Sequence, residues 1–175
     1  MKRKMILITL ISLSVMLGAG ALYHFTGNRL LFSVAITFGT IFYHLGMRLA
    51  VGSIIDAKYH NQMNYMRWWF RERTFESSFY EKIRIQEWKG RMPTFTPQNF
   101  RLRRDAIPQV VQATCQAEVV HEVNMVLSFV PVFFSIWFGS LGVFLITSCA
   151  AFIFDGLFVM IQRYNRPRLI RLIRR

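Results

Sequence analysis

Residues 123–161 read VNMVLSFVPVFFSIWFGSLGVFLITSCAAFIFDGLFVMI. Two apolar runs, Val123 to Phe138 and Leu141 to Ile161, meet at the short step Gly139-Ser140, and Asp155 is the lone charged residue. A hydrocarbon core ~30 Å thick is crossed by about 20 helical residues. The second run meets that length. The first reaches it if helix periodicity carries it back to about Pro108. The stretch therefore predicts a helical hairpin in a bilayer. Towards the N-terminus lie two more apolar runs. Met5 to Phe25 has no Lys, Arg, Asp or Glu, and Leu30 to Ile55 is interrupted only by His44 and Arg48. Thr26-Gly27-Asn28-Arg29 joins them as a tight turn. The expected fold is all-α and polytopic: about four transmembrane helices in two hairpins, with a cytoplasmic interfacial helical segment between them. The expected divisions are residues 1–55 (first hairpin), 56–107 (interfacial segment), 108–161 (second hairpin) and 162–175 (basic tail). Met5 to Phe25 also fits a cleavable signal, with basic residues ahead and Gly18-Ala19-Gly20-Ala21 after. A retained span is favoured, because the run is long and leads straight into a hairpin.

Composition agrees. Hydrophobic residues make up 53% and charged residues 18%, which excludes a disordered chain. Two Cys exclude a disulfide scaffold, and no Cys/His group has zinc spacing, so no metal is expected. The net charge of +13, from 22 Lys and Arg against 9 Asp and Glu, raises the question of nucleic acid. The positions answer it. Three basic residues precede the first run, eleven lie in residues 56–122, and six lie in the tail. Only Arg29 falls on the other side, and Arg48 within a span. The positive-inside rule puts both termini and the central segment in the cytoplasm. Nucleic acid drops out as a partner, and the bilayer takes its place.

In the central segment, Tyr65, Trp68, Trp69 and Phe70 interleave with Arg67, Arg71 and Arg73, a headgroup-level pattern. Phe79, Ile83, Trp88 and Met92 predict one partly amphipathic helix ended by Pro93. Asp105 is a candidate cap for a helix with Pro108 in its first turn. Pro131 is expected to kink that helix within the membrane.

Polar groups inside a bilayer are costly and need a partner or a task. Arg48 and Asp155 each lie about 10–12 Å from the inner end of their spans, at 1.5 Å per residue. The matched depth predicts an Arg48–Asp155 pair, either structural or functional. His44 sits one helical turn from Arg48 and lines the same cavity or bonds a neighbouring helix. Glu118 and His121 share a helix face. A carboxylate that orients an imidazole makes a general base, and Glu118 has the alternative of another partner. The plain alternative is a solvated polar cap, with Glu122 a second acid beside His121. Gln162-Arg163-Tyr164-Asn165-Arg166-Pro167-Arg168-Leu169 is dense in Arg around a turn-forming Asn-Arg-Pro. It reads as an anion-binding corner, or as basic flanks against anionic lipid. Cys115 is a nucleophile or, more simply, a small buried residue.

The octapeptide 162–169 resembles the C-terminal signature of the glycosyl-4,4′-diaponeurosporenoate acyltransferase family. Ala117-Glu118-x-x-His121 and Trp88-Lys89 resemble two further elements of that family, in the same order. The resemblance implies an integral acyltransferase of a bacterial cell membrane. It joins a fatty acyl group to a sugar hydroxyl of a glycosylated carotenoid or related glycolipid. It implies no resident cofactor. The donor co-substrate is an acyl coenzyme A or acyl carrier protein thioester, and the acceptor is lipid-linked. His121 then takes the hydroxyl proton with help from Glu118. Arg163, Arg166 and Lys89 hold donor phosphate or oxyanion, Asn165 shapes the corner, Arg48 and Asp155 bound the acyl cavity, and Arg168, Trp88 and His44 are further substrate-binding candidates. Two rivals share the architecture: a scaffold or transporter using Arg48, His44 and Asp155 as an ion path, and a different lipid-modifying enzyme such as a methyltransferase.

Overall fold

In a computed structural model, described over residues 2–92 and 106–173, every regular element is helical. The helices are α1 (Lys2–Thr26), α2 (Arg29–Tyr59), α3 (Glu76–Lys82), α4 (Ile85–Trp88), α5 (Ile107–Leu127), α6 (Val130–Phe138) and α7 (Leu141–Ile173). Four stretches are long and apolar enough to cross a membrane: Lys2–Thr26, Arg29–Tyr59, Ile107–Phe138 and Leu141–Ile173. Only 11% to 22% of their most apolar windows are buried within the protein, so most of that apolar surface faces outward. A helix apolar all round belongs in lipid rather than water.

The chain divides into two compact units, Met1–Gly52 with Asn124–Ile153 and Ser53–Val123 with Phe154–Arg175. Helices α2, α5 and α7 contribute to both.

The first unit holds both expected tight turns. Gly27, at φ 65°, bonds back to the Tyr23 carbonyl at 2.8 Å, and Asn28 Oδ1 accepts the Leu30 amide at 2.9 Å, capping α2. Gly139, at φ 67°, closes α6 with a 2.9 Å bond to Ser135. Pro131 does more than kink the third span. The helix stops at Leu127 and restarts at Val130, with Pro131 in the new first turn. The missing proline N–H leaves the Leu127 carbonyl without its helical donor. The Tyr43 hydroxyl on α2 donates to that oxygen at 2.8 Å. In the same unit Arg48 donates to the carbonyls of His44 at 2.8 Å and Ala151 at 3.5 Å.

The second unit corrects two expectations. Residues 79–92 do not form one helix. Ile83 ends α3 and Arg84 turns left-handed at φ 49°, so α3 and α4 are separate short pieces. The break lets Tyr80 and Ile85 both bury against Ile161 and Tyr164 of α7, with Trp88 and Met92 packed alongside. Nor is Asn165-Arg166-Pro167 a turn. Helix α7 runs through Pro167 to Ile173. Proline inside a helix costs about 3 kcal/mol. Buried anchors on either side hold the helix through it: Tyr164 and Arg166 before, and Leu169 after, packed with Ile107, Val110 and Val111 of α5. The end of α2 is clamped to α5, because Gln116 donates to Asp56 at 2.9 Å and accepts the Asn61 amide at 2.7 Å. The Pro93 stop and the Asp105 cap lie outside the described residues.

Candidate functional site

Helix α5 places Thr114, Glu118 and His121 at i, i+4 and i+7, one face of the helix. Helix α7 answers with Asp155, Phe158, Arg163 and Arg166. The Glu118 and His121 side chains go to different partners. His121 Nδ1 lies 2.8 Å from Asp155 Oδ1, and Asp155 is fully buried. The imidazole stacks on the Phe158 ring, centroids 4.6 Å apart and planes 8° apart. A carboxylate accepts, so Nδ1 carries the hydrogen, and in the neutral ring Nε2 then presents a lone pair. The His121 side chain keeps 22% of its surface open. The orienting carboxylate expected of Glu118 is supplied by Asp155.

Glu118 is fully buried and engaged with arginine. Its Oε1 accepts from Arg163 Nη1 at 2.6 Å, and its Oε2 from Arg166 Nη2. Arg163 also binds Glu76 Oε1 through Nε at 2.8 Å and donates to the carbonyls of Trp69 and Arg71, both at 3.0 Å. Arg166, 1% exposed, donates to Thr114 Oγ1, Thr114 O and Phe70 O and lies over the Phe70 ring. These two arginines do form an anion corner, but the anions are the protein's own Glu76 and Glu118. The arginines tie α3 and the Trp68–Phe70 turn to α5 and α7.

The rest of the basic set lies on the next turn of α7. Lys89 Nζ donates to Asn165 Oδ1 at 2.8 Å. The Trp88 indole donates to the Ile83 carbonyl at 3.0 Å, which gives Trp88 a packing task. Burial, and then the charge of Arg168, lower the Lys89 pKa from its ordinary 10.5. Arg48 and His44 belong to the first unit and Asp155 to the second. Cys115 is fully buried.

Sequence reasoning missed four participants. Glu76 is an acid in the first turn of α3, amid basic neighbours. Phe158 lies three residues after Asp155, a spacing that marked the face but not its use. Thr114 and Phe70 meet Arg166 across about 50 and 100 residues of chain, and no local pattern reports that. Trp69, read as a headgroup aromatic, donates its indole N–H to both Glu122 oxygens, at 3.0 and 3.2 Å.

The arrangement therefore offers an oriented, partly exposed imidazole beside an internally neutralised support. All three motifs converge in the second unit: Glu118 with Arg163 and Arg166, and Lys89 with Asn165. No curated protein and no solved structure matches the chain. The family model described as glycosyl-4,4′-diaponeurosporenoate acyltransferase matches residues 66–175. That range covers more than half of the chain and contains every residue of the His121–Asp155 and Glu118–arginine arrangements. The chain belongs to the glycosyl-4,4′-diaponeurosporenoate acyltransferase family.

Proposed function

We propose that this protein moves a fatty acyl group from a thioester donor to a hydroxyl of a membrane glycolipid, a glycosylated carotenoid or a related lipid. The observation that carries this reading is the His121–Asp155 bond, made by an imidazole whose side chain keeps 22% exposure, so that the neutral ring has Nε2 as its base. In the proposed step, Nε2 takes the proton of the acceptor hydroxyl as its oxygen attacks the thioester carbonyl. The tetrahedral adduct then collapses. The C–S bond breaks, an ester remains, and the imidazolium returns its proton to the leaving sulfur. The buried Asp155 carboxylate steadies the transient imidazolium, and Phe158 fixes the ring plane.

The one-sided basic charge supports placing both termini and the site at the cytoplasmic face of a cell membrane, where thioester donors are made. The acceptor then enters from the bilayer side. Arg163 and Arg166 act as support, and Glu118 as their counter-ion.

The test is purified His121→Ala in a reaction with a labelled acyl thioester and extracted glycolipid. Loss of acyl transfer by about 10²–10⁴-fold is expected for removal of a general base. The unfolding midpoint should match the parent protein. Transfer at the parent rate in a folded variant overturns the assignment.

A further inference from the structure

Two cations share one aromatic ring in the second unit. Lys89 Nζ lies 4.6 Å from the Tyr164 ring centroid, and the Arg168 guanidinium carbon lies 3.5 Å from it. Their hydrogen-bond acceptors are neutral. Lys89 donates to the Asn165 amide oxygen at 2.8 Å, and Arg168 to the Tyr164 carbonyl at 2.7 Å. Among the described residues neither forms an ion pair. Tyr164 and Arg168 also border a cavity of about 270 Å³, with Tyr80, Arg84, Ile85 and Glu87 on its other walls. Glu87 lies 3.8 Å from Arg84, and Glu81 is a second acid on the wall.

A staple joining the Trp88-Lys89 turn to α7 needs one cation on the ring. The second adds repulsion, which a cation–π contact of about 0.5–2 kcal/mol offsets only in part. The arrangement contrasts with Arg163 and Arg166, earlier on the same helix as Arg168, whose charges are met by Glu76 of α3 and Glu118 of α5. An external anion would complete this pair in the same way. An Arg fork beside a Lys point charge suits the several oxygens of a phosphate better than the two of a carboxylate.

We propose that Lys89 and Arg168, held against Tyr164 beside this cavity, form a binding site for a phosphate group. Its source rests on the acyl-transfer reading: the phosphates of a thioester donor's carrier arrive at this face, so the site anchors the donor. A phospholipid headgroup carries the same chemistry, and the experiment separates the two.

The full-length protein in phosphate-free maltoside micelles is titrated calorimetrically with coenzyme A and with pantetheine, which lacks the phosphates. Coenzyme A should bind, and pantetheine should bind at least about tenfold more weakly. Lys89→Gln and Arg168→Gln should each weaken coenzyme A about tenfold. Arg171→Gln should hold the parent affinity and show that the fold persists. In mixed micelles, saturable binding of phosphatidylglycerol that is lost in Arg168→Gln, with no coenzyme A binding, keeps the site and assigns it to lipid. Parent-like binding of both ligands by both Gln variants overturns the proposal. The two readings fail separately. A protein that binds coenzyme A through this pair but transfers no acyl group sinks the acyltransferase reading alone. One that transfers acyl groups with affinity indifferent to Lys89 and Arg168 sinks the anion site alone.

Discussion

Asp155 and Glu118 are both fully buried carboxylates, yet their partners give them different work. Asp155 meets an imidazole, whereas Glu118 meets two guanidinium groups. Asp155→Asn should therefore lower acyl transfer about a hundredfold, within the range of general-base contributions, and alter its pH profile. Its KM for the donor should stay close to the parent value. A pH profile identical to the parent's would deny Asp155 an orienting role. Glu118→Gln should act on stability first. It strands Arg163 and Arg166 with one counter-charge fewer, and breaking a buried pair from one side costs about 3–5 kcal/mol. Denaturant unfolding of the purified variant measures it. The Tyr80 phenol reports on the same cluster. Burial first, and then Glu76, push its pKa up from 10.0 to about 12. Its contribution to stability is intact below pH 10. It falls as pH rises towards 12, where the unfolded chain ionises and the folded one does not. Tyr80→Phe should flatten that alkaline loss in thermal melts taken across the window.

At the scale of elements, two prolines govern two long helices in opposite ways. Pro131 breaks its span, and the helical donor it removes is replaced by Tyr43 from α2. Pro167 leaves α7 unbroken, because buried side chains on both sides of it are committed to α5 and to the α3–α4 segment. The first case gives a double-mutant test. Tyr43→Phe should cost about 1–3 kcal/mol by leaving the Leu127 carbonyl unsatisfied. In a Pro131→Ala background the new N–H can serve that oxygen, and the same change should cost much less. Equal costs in both backgrounds would show that the tyrosine bond does not answer the proline. The short pieces α3 and α4 carry little helical stability of their own, being under two and a half turns each. They persist through Tyr80, Ile85 and the Glu76–Arg163 pair, and so through α7.

For the whole molecule, four membrane-length stretches, with 20 of the 22 Lys and Arg in the N-terminus, residues 56–122 and the tail, lead to a proposed topology that labelling can check. Single cysteines at Asn28 and Ser140, in a chain with Cys115 and Cys149 replaced, should react with an impermeant maleimide added outside intact cells. Cysteines at Lys2 and Arg171 should react only after permeabilisation. The opposite pattern would reverse the proposed orientation.

The sequence by itself determined the spans, the two tight turns, the helical class and the family, because each depends on local hydropathy, turn residues or short motifs. The Pro108 start of α5 was legible for the same reason. The sequence also nominated His121, Asp155 and the tail arginines as residues that need partners. Which partner each took was decided by tertiary structure alone. Glu118 and His121 share a helix face, but whether a carboxylate turns to its neighbour or to another helix depends on what α7 presents opposite it. Arg163 and Arg166 looked like sites for an outside anion, until the fold brought Glu76 and Glu118 to them from other elements. Lys89 and Arg168 looked the same in sequence, and among the described residues their hydrogen-bond acceptors are neutral. Charge and spacing are written along the chain. Neutralisation is a property of three-dimensional neighbours, and it separates the arginines that support this protein from the pair proposed to bind an outside anion.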